Sequence, residues 1–147
     1  MSISAKELWA KTSLYIWPER YWLVSLPITQ LSDTLLVLGQ YSRGFAAIVV
    51  EKDEVSLTLS DELWQKVSNL LTNKQVAGPY QVITLNINLD LDICGYLLVA
   101  AKELADNNIS IVPQCAYLKD HLVIKELDCP KAIKVLTSLI KKCQVSQ

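Results

Sequence analysis

The sequence predicts an α+β fold, and two observations carry that expectation. Between Val82 and Leu89, the apolar residues Ile83, Leu85, Ile87 and Leu89 alternate with Thr84, Asn86 and Asn88. Period two with one polar face is the pattern of a half-buried strand, with Val82 the one exception. The period then lengthens. Ile93, Leu97, Ala100, Ala101, Leu104 and Ala105 recur at helical spacing, which predicts an amphipathic helix from about Ile93 to Asn107.

Asp92 or Asp90 suits the N-cap of that helix, as an acceptor for its orphan N–H groups. Asn107 and Asn108 suit its exit, because asparagine tolerates left-handed geometry. Gly95 is expected in the first turn, where glycine costs about 1 kcal/mol relative to alanine, so its presence points to a close approach by another strand or a ligand. A hairpin follows. Ile109, Ile111, Cys115 and Tyr117 alternate along one arm, and Leu122 to Glu126 returns after a turn at Lys119-Asp120-His121. Pro113 cannot donate to a ladder, which places its strand at an edge or a bulge. Asp128 or Cys129 caps a last helix with Pro130 near its start and an apolar stripe of Ile133, Leu136, Leu139, Ile140 and Cys143. Lys131, Lys134, Lys141 and Lys142 stay in water. The order is βαββα.

The first half repeats this logic more loosely. Residues Ala5 to Trp17 are mildly helical, and Pro18 ends them. Tyr21 to Leu26 reads as a strand stopped by Pro27, and Leu31 to Leu38 fits either a short helix or a strand. Arg43-Gly44 marks a turn before a buried strand from Phe45 to Val50. Val55 to Ser60 alternates cleanly as a second strand. Asp61 is expected to cap a helix running to about Leu71, with Leu63, Trp64, Val67, Leu70 and Leu71 on one side. Thr72 to Gly78 reads as a short polar linker.

Composition narrows the function classes. The chain has 147 residues, 51% hydrophobic and 20% charged, with a net charge of -1. That length holds one domain or two small ones. Such a charge gives no electrostatic case for nucleic acid or an anionic membrane. The longest apolar runs fall far short of the roughly 20 residues that span a bilayer. No apolar signal core precedes Lys6 and Glu7, so a cytoplasmic protein is expected. Cys94, Cys115, Cys129 and Cys143 show no CxxC spacing and read as buried, reduced thiols. His121 is the only histidine, which excludes a histidine triad or a multi-histidine metal site. Asp120-His121 reads as a solvated turn rather than an acid/base pair, since adjacent strand residues face opposite ways. Asp90 and Asp92 lack further carboxylates to complete a cation's oxygen shell, and capping accounts for them. With 4 glycines in all, a phosphate-cradling loop is poorly supported. No enzyme, metal or cofactor is expected.

One resemblance is specific. The sequence Leu89-Asp90-Leu91 with Gly95 four residues on, Ile109-Ser110-Ile111, Cys115-Ala116, Tyr117, Asp120, Leu122-Val123-Ile124-Lys125 and, upstream, Glu54-Val55-Ser56 stand in the order and spacing of an ACT domain. More narrowly, the chain is similar to the short stand-alone tandem-ACT proteins, to which animal cytosolic arginine sensors are related. The likeness covers roughly Phe45 to the C-terminus, with Tyr21 to Pro27 as a first strand. It departs from the family at Leu91, which replaces an aromatic, at Cys94, and at Cys115-Ala116, which replace hydroxyl residues. Lost hydroxyls imply a different ligand or none, because sites built on such bonds discriminate by about 10⁴.

The resemblance implies two ferredoxin-like subdomains of βαββαβ type with antiparallel sheets. The first would be a degenerate copy with an N-terminal helix, residues 1–72, and the second the ACT domain, residues 73–147. It implies a non-catalytic regulatory protein that binds an amino acid at the subdomain interface and forms a homodimer. The candidate ligand-binding residues are Asp92, Cys94, Gly95, Tyr117 and Asp120, with Glu54 and Ser56 from the first module. Helix-start N–H groups suit the ligand carboxylate and an aspartate suits its ammonium. The alternative is a ligand-free ACT module that dimerises and docks on a partner protein.

Overall fold

A computed structural model of the chain describes residues 4–41 and 44–145. Arg43, expected to share a turn with Gly44, lies outside them. In chain order the elements are α1 (Ala5–Lys11), β1 (Ser13–Ile16), β2 (Tyr21–Pro27), α2 (Leu31–Tyr41), β3 (Ala47–Val50), β4 (Glu54–Ser60), α3 (Asp61–Val67), β5 (Gln75–Asn86), α4 (Tyr96–Asp106), β6 (Val112–Cys115), β7 (Asp120–Lys125) and α5 (Cys129–Val145). Contacts divide the chain into two units, Met1–Trp17 with Gln81–Gln147, and Pro18–Tyr80.

The unit Pro18–Tyr80 reads β2-α2-β3-β4-α3 and then the first half of β5, the βαββαβ order of a ferredoxin-like fold. Its strands lie in the order β3-β4-β2-β5, and the pairings β3–β4, β2–β4 and β2–β5 are all antiparallel. Alternation along β2 and β4 sends Val24, Leu26, Val55, Leu57 and Leu59 to one face, where they bury against Leu38 of α2 and Leu63 and Val67 of α3. Leu31–Tyr41 resolves as a helix. Two expectations change here. Ser60, not Asp61, caps α3: its hydroxyl accepts the Leu63 N–H at 3.3 Å, while Asp61 accepts the Trp22 indole N–H at 2.8 Å. β3 is not a buried strand, for it pairs only with β4 at the sheet edge and leaves Val49 and Val50 about half exposed.

The unit Met1–Trp17 with Gln81–Gln147 has the predicted βαββα order, from the second half of β5 to α5. Its fourth strand comes from the other end of the chain. β1 pairs antiparallel with β5, from Ser13 opposite Asn86 to Ile16 opposite Ile83. The strand order is thus β1-β5-β7-β6, and β1 fills the place that β5 fills in the other unit. α1 follows β1 into this unit: Leu8, Trp9 and Ala10 bury with Ile83, Leu85, Ala100, Leu104, Leu122, Ile124 and the α5 stripe. The N-terminal helix therefore packs with the C-terminal half, not with residues up to 72 as expected. The span Ala5 to Trp17 is not one helix because Thr12 turns extended, with ψ 138°, and β1 takes up the rest. The expected linker Thr72 to Gly78 also ends early, since β5 already begins at Gln75. Gly78 and Pro79 sit where the β2–β5 register shifts, between Tyr21 and Leu23, so a dipeptide typical of loops is absorbed by a bulge.

Pro113 lies on β6, at the sheet edge. α4 ends in a Schellman motif. Asn108 adopts φ 58°, its N–H reaches the Ala105 carbonyl at 2.9 Å, and the Ile109 N–H reaches the Leu104 carbonyl at 3.0 Å. That closure occupies Ile109, which is why β6 starts only at Val112. Of the cysteines, Cys129 and Cys143 are buried as expected, but Cys94 and Cys115 are exposed.

His121 is not in a solvated turn. The turn runs through Tyr117 and Leu118, closed by the Ala116 N–H on the Lys119 carbonyl at 2.9 Å, and His121 lies inside β7. The Thr84 hydroxyl accepts the Trp17 indole N–H at 2.9 Å and lies 2.8 Å from His121 Nδ1. Burial holds the imidazole below its ordinary pKa, against the Asp120 charge that raises it. The unfolded chain then binds more protons than the folded one below the ordinary histidine value of 6.5. Stability from this group is complete above that pH and falls as pH drops below it. Thermal midpoints are expected to decline from pH 6.5 toward pH 5.5, and His121→Gln to flatten that slope.

Candidate functional site

A cavity of about 280 Å³ lies in the unit that contains α4, lined by residues of two loops and of the start of that helix. The first loop reverses the chain after β5: the Ile93 N–H bonds the Asp90 carbonyl at 3.1 Å. The second is the β6–β7 turn. The Leu89 N–H joins the two by donating to the Leu118 carbonyl at 2.9 Å. The cavity is lined from Leu89 to Leu91, by Ile93, from Gly95 to Leu98, and from Cys115 to Asp120.

The helix begins later than its apolar spacing suggests. Gly95 is the N-cap, with φ 82°, and no side chain caps the helix. Asp90 and Asp92 therefore do not cap α4. Ile93 packs against the core from the loop, which is how it mimicked a helical position. The left-handed turn at Gly95 is what stops the helix from extending backward, since a Cβ there strains the backbone by roughly 1–2 kcal/mol. A Cβ built on Gly95 would meet nothing within 4 Å. Gly95→Ala is thus expected to cost only that strain, about 1–2 kcal/mol, seen as a thermal midpoint lower by roughly 2–8 °C.

Behind the cavity, Tyr96 is fixed from three sides. Its ring stacks on Trp9 with centroids 4.7 Å apart, its carbonyl accepts the Trp9 indole N–H at 2.9 Å, and its hydroxyl lies 2.8 Å from that of Thr12. Burial pushes the phenol up to about 12; the Thr12 hydrogen bond opposes this, and the Asp120 charge adds to it. Asp120 stands opposite Cys115 in the β6–β7 register. Burial pushes the Cys115 thiol up to about 11, helped by its hydrogen bond to the Asp120 carboxylate and by that charge. Asp120, with Asp90 and Lys119, lines a half-closed, largely apolar cleft that the uncapped start of α4 also lines.

Of the expected site residues, Gly95, Tyr117 and Asp120 line this cavity. Asp92 and Cys94 sit in the loop beside it, with the Cys94 thiol 3.8 Å from the Asp92 carbonyl. Glu54 and Ser56 lie on β4 in the other unit, where Glu54 accepts a hydrogen bond from Ser25, the residue opposite Ser56 in register. The lining also includes Asp90, Tyr96, Cys115 and Lys119, which were not among the expected binders. Asp90 and Cys115 were already among the residues that carry the resemblance in the sequence. Tyr96 and Lys119 carry no signal in a single sequence. Among the described residues, no group of three or more His, Cys, Asp or Glu side chains gathers to hold a metal. No helix among them is long and apolar enough to cross a membrane.

No protein-family model and no curated protein matches the chain. Solved structures do. A Vibrio cholerae protein of unknown function superposes with a TM-score of 0.70 at 22% identity, over 93% of this chain and 96% of the other. A protein from Agrobacterium tumefaciens gives 0.71 at 19% identity, over 88% and 89% of the two chains. The regulatory subunit of aspartate kinase from Thermus thermophilus, in a ligand-free form, gives 0.68 at 8% identity, over 87% and 97%. With identities this low the likeness concerns fold. The fold is α+β, built of ferredoxin-like ACT-type units with antiparallel sheets.

Proposed function

We propose that this chain is a non-catalytic regulatory protein that binds a free amino acid in the cavity beside Gly95. The observation that carries the reading is a half-closed volume lined both by the Asp120 carboxylate and by a helix start that no side chain caps. Asp120 offers a carboxylate to the ligand ammonium, and the uncapped start of α4 offers backbone N–H groups and the positive helix end to its carboxylate. Tyr117, about three-quarters exposed on the cavity lining, would cover a bound molecule. The structural likeness to a subunit that regulates aspartate kinase supports a regulatory rather than catalytic role. A homodimer belongs to the same reading, with β3 the better edge for pairing because β6 carries Pro113.

A thermal-shift screen against the twenty amino acids tests the proposal. A ligand at 100 times its Kd adds about 2.7 kcal/mol, which raises the midpoint by roughly 5–11 °C at this chain length. Light scattering with and without the best hit reports the dimer. A specific observation supports the second reading, a docking module without ligand: Leu91, Leu98, Tyr117 and Leu118 are all exposed around the cavity. Apolar groups clustered in that way also suit a protein surface. A flat screen would remove the amino-acid reading and leave that one.

A further inference from the structure

We infer that the amino acid taken by this cavity has an aliphatic side chain. The inference rests on the amino-acid reading and concerns the part of the ligand which that reading leaves open. Once Asp120 and the α4 start hold the head group, the remaining walls are Leu89, Leu91, Ile93, Leu97, Ala116 and Leu118. Leu91 and Ala116 put hydrocarbon against that volume. Cys115 is already engaged by Asp120. At about 280 Å³ the space lies just under the roughly 300–1,000 Å³ of pockets for drug-sized molecules, so the occupant is small.

Two charged side chains on the lining could argue for a charged ligand, and magnitudes decide against it. Asp90 is exposed, so an ion pair with a basic side chain there multiplies affinity by no more than about fivefold. Lys119 could attract an acidic side chain, but that second carboxylate would also sit beside Asp90 and Asp120. Each methylene buried among the leucines multiplies affinity by about fourfold, and leucine has three more carbons than alanine. Lysine carries the same three extra carbons, but its ammonium loses water against the leucine walls, and that cost exceeds the gain from the exposed pair.

Isothermal titration with alanine, valine, leucine, methionine, threonine, aspartate, lysine and arginine tests this, together with the Leu91→Ser variant. Leu91 is about 71% exposed in a loop, so the substitution spares the fold. Leucine, valine or methionine should bind at least about tenfold more tightly than alanine, and more tightly than every charged ligand. Leu91→Ser should narrow the leucine-to-alanine ratio at least threefold. A charged amino acid or threonine binding best, or a ratio unchanged in the variant, would overturn the aliphatic assignment while leaving amino-acid binding intact. No heat with any of the eight, matched by a flat twenty-member screen, would sink both.

Discussion

Replacing Trp9 by alanine is expected to remove about 3–5 kcal/mol of folding stability, the range for deleting a fully buried aromatic. Trp9 is wholly buried, although it belongs to a seven-residue helix close to the chain start. A helix that short is marginal by itself, and its stability comes from the face it buries. Nearly all of that face is Trp9 with Leu8 and Ala10. Alanine would lose the stack on Tyr96 and the indole N–H bond to the Tyr96 carbonyl together. Against a total of about 5–15 kcal/mol for a protein of this kind, the loss is large. Urea denaturation should show a midpoint lower by more than about 1 M. Trp9→Phe keeps a ring for Tyr96 and gives up the hydrogen bond, about 1 kcal/mol, with part of the packed volume, so it should cost clearly less than alanine. Equal losses for the two variants would mean that the stack contributes nothing.

That contact also shows where single-sequence reading stops. The strand Glu54–Ser60 and the stripe of α5 were legible because each carries its apolar residues on one face, and such an element writes its period into the sequence; Tyr21–Pro27 was legible from its apolar run and the proline that ends it. β3 misled because an apolar run of six, Phe45 to Val50, says nothing about how many neighbours a strand has. The start of α4 misled because Ile93 is apolar and in phase, while the left-handed Gly95 that ends the helix is a conformation rather than a pattern. Pairs distant in sequence were invisible. Trp9 and Tyr96 are 87 positions apart, and nothing local says that β1 completes a sheet begun by β5. Along the cavity, Gly95, Tyr117 and Asp120 were named through the resemblance to an ACT domain. The Cys115–Asp120 pair needed the hairpin register, which sequence reading had shifted by placing the turn at residues 119–121 instead of at Tyr117-Leu118.

Asp120→Asn is expected to weaken amino-acid binding by roughly 10-fold to 150-fold, the worth of a hydrogen bond to a charged group in a half-buried site. The side chain stays the same size, so the cavity keeps its shape and the loss reports charge. The substitution has a second readout that needs no ligand. With the carboxylate gone, burial still raises the Cys115 thiol and the amide oxygen can still accept from it, but the negative charge no longer adds to the shift. The thiol then ionises at lower pH, and its alkylation at mildly alkaline pH should quicken. That change confirms that residue 120 faces Cys115 whether or not anything binds. The ligand's side of the pair is tested with an N-acetylated amino acid, which has no ammonium to offer. If Asp120 holds the ammonium, acetylation costs the wild-type protein much and the variant little, because the two changes remove the same interaction. Losses that simply add would place the ammonium elsewhere, and Asp120 would then be a residue that shapes the cavity without touching its occupant.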